Sequence, residues 1–182
     1  MVSRTGYTGE DGFELYCARE EAPTLWDAIW EEGRTRGLAP VGLGARDILR
    51  LEAGLPLYGH ELSEKISPLE AGLGRFVSFT KEGGFIGREA LLQKKEEGLP
   101  FKLQGIEMLE RGIPREGYTL KAGEREVGWV SSGTYSPTLD KNVAMAFLKT
   151  GEAQAESQVS VVIRSRECRA RVVKIPFYRR DK

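Results

Sequence analysis

Phe101-Lys102-Leu103-Gln104-Gly105-Ile106-Glu107-Met108 is the first of five strand-like runs that follow Pro100, the others being Val127–Ser131, Val143–Leu148, Val159–Ile163 and Cys168–Ile175. Turns rich in Gly, Pro, Asn and Asp separate them, and no helical spacing intervenes. Five or six strands without a helix predict a small antiparallel barrel or sandwich. Upstream the texture is different, so a boundary falls at 96–100. The fold class is α+β: a partial α+β region over 1–98, then a small antiparallel β-barrel domain over 99–182.

Working back towards the N-terminus, Ala90, Leu91 and Leu92 lie between Gly87 and Gly98 and predict a helix over 88–95. Ile48, Leu49 and Leu51 predict another over 44–53, stopped by Gly54 and Pro56. Leu25, Trp26, Ile29 and Trp30 recur at helical spacing from about Ala22, with Pro23 suited to the first turn and Gly33 and Gly37 closing the segment. Before them stand Gly6, Gly9 and Gly12, followed by the alternation of Phe13, Leu15 and Cys17 with Glu14, Tyr16 and Ala18. This predicts a hairpin: Tyr7 and Thr8 end one strand, 9–12 turn, and 13–17 return.

At 182 residues the chain can bury a core without staples. With 40% hydrophobic and 30% charged residues it is neither a disordered tail nor a membrane protein, and no apolar run approaches the ~20 residues of a membrane span. No signal peptide is read before Ser3, which points to a cytoplasmic protein, or one of the mitochondrial matrix if the source is eukaryotic. Twenty-seven basic residues cancel 27 acidic ones, against a surface that grips nucleic acid overall. Cys17, Cys168 and a single histidine, His60, exclude a disulfide framework and a multi-histidine metal centre.

The densest motif is Gly6-Tyr7-Thr8-Gly9-Glu10-Asp11-Gly12-Phe13-Glu14. Its glycine spacing fits neither a dinucleotide fingerprint nor a Walker loop. Either its acids are solvated on a hairpin, or Glu14 faces a cavity, where a carboxylate accepts paired hydrogen bonds from an amidine-like ring edge. Arg46 and Asp47 open the second helix. Asp47 suits a first turn; Arg46 does not, at a cost of only ~0.3–1 kcal/mol, so it either decorates the helix or offers a guanidinium fork to a carboxylate or carbonyl. His60 reads as an ordinary loop residue, and the hydroxyls around Gly133 have no neighbouring histidine–acid pair to make a hydrolase. From Arg164 to Lys182 eight basic residues face two acidic ones. Those arginines either line and block edge strands or form a patch for an acidic partner.

Six ordered blocks carry a resemblance across essentially the whole chain: 3–14, 42–54 with Gly42-Leu43-Gly44-Ala45-Arg46-Asp47, 67–74, 85–91, 132–139 and 174–178. In this order they resemble the C-terminal half of the aminomethyltransferases, the T-proteins of the glycine cleavage system. The resemblance implies a transferase of one-carbon metabolism and glycine catabolism. Such an enzyme moves the methylene from the aminomethyl-lipoyl arm of H-protein to tetrahydrofolate and releases ammonia, with folate as substrate and acceptor and no metal. By motif position it implies that Glu14 hydrogen-bonds the pterin, that Tyr7 lines the same pocket, and that Arg46 sits near the reacting end. Tyr178, Arg179 and Arg180 are the alternatives for a C-terminal ligand contact. The family's aspartate that steers the folate nitrogen belongs to an N-terminal half this sequence does not match. The resemblance therefore leaves no catalytic residue here, implies an inactive fragment, and leaves unpaired edges that invite self-association.

Two folate-binding relatives compete with this reading. One, used in iron–sulfur or RNA-modification biology, carries a Lys-Gly-Cys-Tyr-x-Gly-Gln-Glu stretch that is absent here. The other is the folate domain of a flavin-dependent demethylating oxidase, and no flavin fingerprint is present. A non-enzymatic module docking an acidic protein is a third alternative. Partners expected from the sequence are lipoylated H-protein and folate, with no specific nucleic acid and no membrane.

Overall fold

The structure, a computed structural model, describes residues 1–152 and 154–180. The sequence runs beyond Pro100 become six strands: β3 (Phe101–Met108), β4 (Thr119–Ala122), β5 (Arg125–Ser136), β6 (Lys141–Lys149), β7 (Gln158–Ile163) and β8 (Arg166–Val173). They pair antiparallel in the closed order β3-β6-β5-β4-β7-β8, with β8 returning to β3. Ile106, Leu120, Val127, Val130, Ala144, Ala146, Leu148, Val161, Ala170 and Val172 fill the interior. Each such aliphatic side chain larger than alanine contributes about 1.5–3 kcal/mol of burial.

The barrel is covered outside as well. Leu103, Met145 and Phe147 form a second apolar cluster with Phe101, Trp129, Ile66, Ile175 and Phe177. Phe101 stacks edge-on against Trp129 at 4.8 Å between centroids, and Trp129 lies 5.3 Å from Phe147. β6 is therefore buried on both faces from Val143 to Leu148, which is why that stretch is continuously apolar rather than alternating. Gly128 is required where β5 crosses it: a Cβ there would stand 1.9 Å from the Phe147 carbonyl oxygen.

Residues 1–98 are looser. α1 (Ala22–Gly33) has Pro23 in its first turn and ends through a 3-10 turn at Gly37, whose φ is +88°. None of its residues is buried. Trp26 is 62% exposed and Val41 73%, and with Ile29, Trp30, Leu38 and Pro40 they line an apolar cleft of about 190 Å³. α2 (Leu43–Glu52) does the opposite and buries Arg50, Leu51 and Glu52 against the barrel. α3 (Arg88–Glu97) begins after Gly87 and buries nothing. Between α2 and α3 the chain is tied to β3: the Leu103 amide donates to the Glu70 carbonyl at 3.1 Å. The Glu70 carboxylate accepts from Ser67 and Lys94. Burial pushes that carboxyl up, but these donors outweigh it and hold it below the usual glutamate range.

Two sequence expectations change. The N-terminal hairpin pairs Val2 with Leu15 and Ser3 with Glu14 (β1, Val2–Ser3; β2, Glu14–Leu15), so Tyr7 and Thr8 lie in its loop rather than at a strand end. The alternation after Gly12 yields a strand of only two residues: Phe13 lies outside it, 69% exposed, and pairing stops at Leu15. Gly9, at φ +80°, brings the loop onto the end of α2, where a Cβ would stand 2.7 Å from that of Ala53. The arginines of β8 also do not guard an edge, because the barrel has none; Arg169 pairs with Glu110 at 2.7 Å, and Arg171 with Glu107 at 2.9 Å.

Candidate functional site

The glycine loop and the start of α2 meet through Tyr7 and Arg46. The Arg46 guanidinium carbon lies over the Tyr7 ring, 4.7 Å from its centroid. The Tyr7 hydroxyl donates to the Pro56 carbonyl, with the Leu55 carbonyl 3.4 Å away. Burial pushes the Tyr7 hydroxyl pKa up, and the nearby Glu61 carboxylate adds to this against Arg50 and Arg46. Arg46 thus presents a planar cation on an aromatic support at the first turn of a helix, a geometry suited to a carboxylate or a carbonyl edge.

Beneath them lies a buried polar cluster that sequence reading passed over. Arg50 is 1% exposed and Glu61 0%. Arg50 donates from Nε to Asp47 at 2.7 Å, from Nη1 to Glu61 at 3.1 Å and to the Leu55 carbonyl at 3.3 Å, and from Nη2 to Ser132 Oγ at 3.0 Å. Asp47, expected to offset the helix dipole, also serves this arginine. β5 is bulged between Val130 and Ser132, so Ser132 Oγ meets Arg50 while the Ser131 hydroxyl donates to the Met145 carbonyl of β6 at 3.0 Å and the Ser131 carbonyl turns towards the first region. There the Ser131 carbonyl lies 3.0 Å from His60 Nδ1, so His60 is half-buried and tied to the barrel rather than loose on a loop.

The C-terminal segment completes the wall. The Tyr178 amide donates to the Glu52 carbonyl at 2.9 Å, and the Glu52 carboxylate accepts from Ser136 at 2.5 Å and Thr138 at 2.9 Å. Gly54, at φ +67°, lets Pro176 pass within 3.2 Å of where a Cβ would stand. Arg180 then reaches Asp11 in the glycine loop at 2.5 Å, and this hydrogen bond holds the Asp11 carboxyl below its usual range. Arg179 is exposed. Glu14 stands apart from the stack: it is exposed, and its described partners are the hydroxyls of Thr5 and of Tyr16, the latter at 3.5 Å.

The structure therefore brings Tyr7 and Arg46 together and brings Arg180 to the same loop. Asp47 and Ser132 were noticed in sequence only as a helix-start acid and a hydroxyl. Arg50, Glu61 and Glu52 were missed as buried side chains; their signal was charge inside the apolar stretch Leu49-Arg50-Leu51-Glu52 and in Leu57-Tyr58-Gly59-His60-Glu61. Among the described residues, no group of three or more His, Cys, Asp or Glu side chains is placed to hold a metal ion. No helix among them is long and apolar enough to cross a membrane.

Comparison with known proteins covers both regions. The GCVT N-terminal domain family matches residues 1–81, and the glycine cleavage T-protein C-terminal barrel domain family matches residues 102–179. The aminomethyltransferases of Geobacillus kaustophilus and Moorella thermoacetica are each 57% identical over 182 residues, the whole of this chain and 50% of theirs. The crystal structure of the glycine cleavage system aminomethyltransferase T from Bartonella henselae superposes with a TM-score of 0.90 at 31% identity, over 97% of this chain and 49% of that one. The chain spans about half the length of the curated relatives it matches. With both domain families in order and these identities along its whole length, the chain belongs to the glycine cleavage T-protein family.

Proposed function

We propose that this chain supplies the folate-holding C-terminal part of an aminomethyltransferase acting on lipoylated H-protein. The observation that carries the reading is the Arg46–Tyr7 stack, formed from two separate family motifs. In the reaction, the C–S bond to the lipoyl arm and the C–N bond to the amino group break. Two C–N bonds to tetrahydrofolate form, and the two protons released from the folate nitrogens end on ammonia and the dihydrolipoyl thiol. No oxidant is needed.

The residues here orient rather than move protons. Asp47 and Glu61 are committed to Arg50, and Asp11 to Arg180, so none of these three carboxylates is free to steer the folate nitrogen. Orientation of the two reactants is itself worth up to ~7–11 kcal/mol when near-ideal. Tyr7, Arg46 and Glu14 hold the folate, with Tyr178, Arg179 or Arg180 closing over it. By itself the chain does not turn over, and it self-associates through the unpaired strand edges of its first region.

The test joins this chain to the N-terminal portion of the Geobacillus kaustophilus relative. That protein is expected to release ammonia from aminomethylated H-protein only when tetrahydrofolate is present. Folate-independent release, or no binding of tetrahydrofolate, sinks the reading.

A further inference from the structure

The buried cluster under the Tyr7–Arg46 stack does more than fill space. Resting on the proposed function, we propose that Arg50 and Glu61 are positioning residues: they set the Leu55-Pro56-Leu57 turn from which Tyr7, and through it Arg46, is held in place.

The geometry runs in one direction. Arg50 Nη1 holds the front of the turn, donating to the Leu55 carbonyl at 3.3 Å. Glu61 Oε2 holds the back, accepting from the Leu57 amide at 2.9 Å, and the same oxygen takes Arg50 Nη1 at 3.1 Å. Pro56, between them, has no N–H to offer, and its carbonyl receives the Tyr7 hydroxyl. The Tyr7 ring then carries the Arg46 guanidinium. Ser132 anchors Arg50 to β5 at 3.0 Å, so the relay is fixed to the barrel wall.

The charge arrangement suits this role better than simple stabilisation. A buried ion pair gives little net stability over apolar residues of the same volume, but removing one partner is costly. Among the described residues Glu61 Oε1 has no partner, so Oε2 alone carries both contacts of the carboxylate, to Arg50 and to the Leu57 amide. A planar fork is needed at residue 50, because one guanidinium there serves four acceptors in three directions.

The test uses Glu61→Gln, which keeps the shape and an acceptor for Leu57, with Ser132→Ala as a milder second variant should the first fold poorly. The first readout needs no folate: the Arg46 side-chain NMR resonances of the full chain, which the Tyr7 ring current displaces. Both variants are expected to move them towards free-arginine values while the barrel resonances stay in place. The second readout is affinity for 5-formyltetrahydrofolate, measured on this chain joined to the relative's N-terminal portion. Glu61→Gln is expected to lose about tenfold, and the Glu61→Gln, Arg46→Ala double variant to be no weaker than Arg46→Ala alone. Unmoved Arg46 resonances, or losses that multiply in the double variant, overturn the relay. If the unaltered protein binds no folate, the functional reading fails and the resonances alone decide the relay.

Discussion

Asp11 and Arg180, from opposite ends of the chain, meet at 2.5 Å and tie the C-terminal segment to the glycine loop. The hydrogen bond from Arg180 depresses the Asp11 pKa, with a smaller contribution from Arg4. A depressed carboxyl contributes fully above its unfolded pKa and loses that contribution as pH falls through the folded one. Tail docking is therefore expected to persist at neutral pH and to loosen only in acid, below the ordinary aspartate range. NMR titration of the Asp11 carboxyl and the Tyr178 amide reads this, and Asp11→Asn should abolish the acid transition. A midpoint at or above the usual aspartate value would refute it.

Glu14→Ala is expected to weaken folate binding about tenfold and leave the thermal midpoint of the barrel unchanged. A hydrogen bond to a charged group contributes ~1.5–3 kcal/mol, and the exposure of Glu14 places it at the lower end. Calorimetric titration of the joined protein decides; equal affinities return Glu14 to a solvated hairpin acid.

Arg46→Lys should not be silent. The ammonium lacks the planar face that rests on Tyr7, and loss of that contact is worth about 0.5–2 kcal/mol, or roughly two- to thirtyfold. Steady-state kinetics with varied tetrahydrofolate should show a raised KM. Unchanged kinetics would make Arg46 a bystander.

The basic C-terminal region divides into spent and unspent charge. Arg171 is held by Glu107 and Glu156, whereas Arg164 has no acidic partner among the described residues. Arg164 and Arg166 line an open cleft of about 770 Å³ with Arg111 and Arg115. H-protein affinity is expected to fall with salt and to drop more for Arg164→Gln and Arg166→Gln than for Arg171→Gln. Parallel salt titrations with H-protein and duplex RNA check it. An equal effect at Arg171, or tighter RNA binding at physiological salt, contradicts it.

What the sequence made legible was periodicity. The three helices lie within two residues of where their apolar spacing and flanking glycines put them, and the barrel strands follow their apolar runs. β4 escaped because four residues, Thr119-Leu120-Lys121-Ala122, carry too little pattern to separate from a turn. The hairpin register slipped because the alternation around Glu14 continues past the point where pairing partners end. Arg50, Glu61 and Ser132 were hidden for a deeper reason. A buried charge is intelligible only with its partners, and these lie 11 and 82 residues away. The family motifs pointed to Tyr7 and Arg46, but only the fold shows what lies beneath them.

The closure of β8 onto β3 has a consequence for synthesis on the ribosome. The sealing strand emerges after all the strands it closes, so β3 to β7 wait as an open, edge-bearing sheet until Val173 is free. Until then Arg50 has no settled Ser132 to reach and Tyr178 has not met Glu52. A break in the chain just after Val173 would leave the barrel closed but strip away Tyr178 and Arg180, and with them the ties to Glu52 and Asp11. One slightly earlier, inside β8, would leave the nascent chain with no barrel at all.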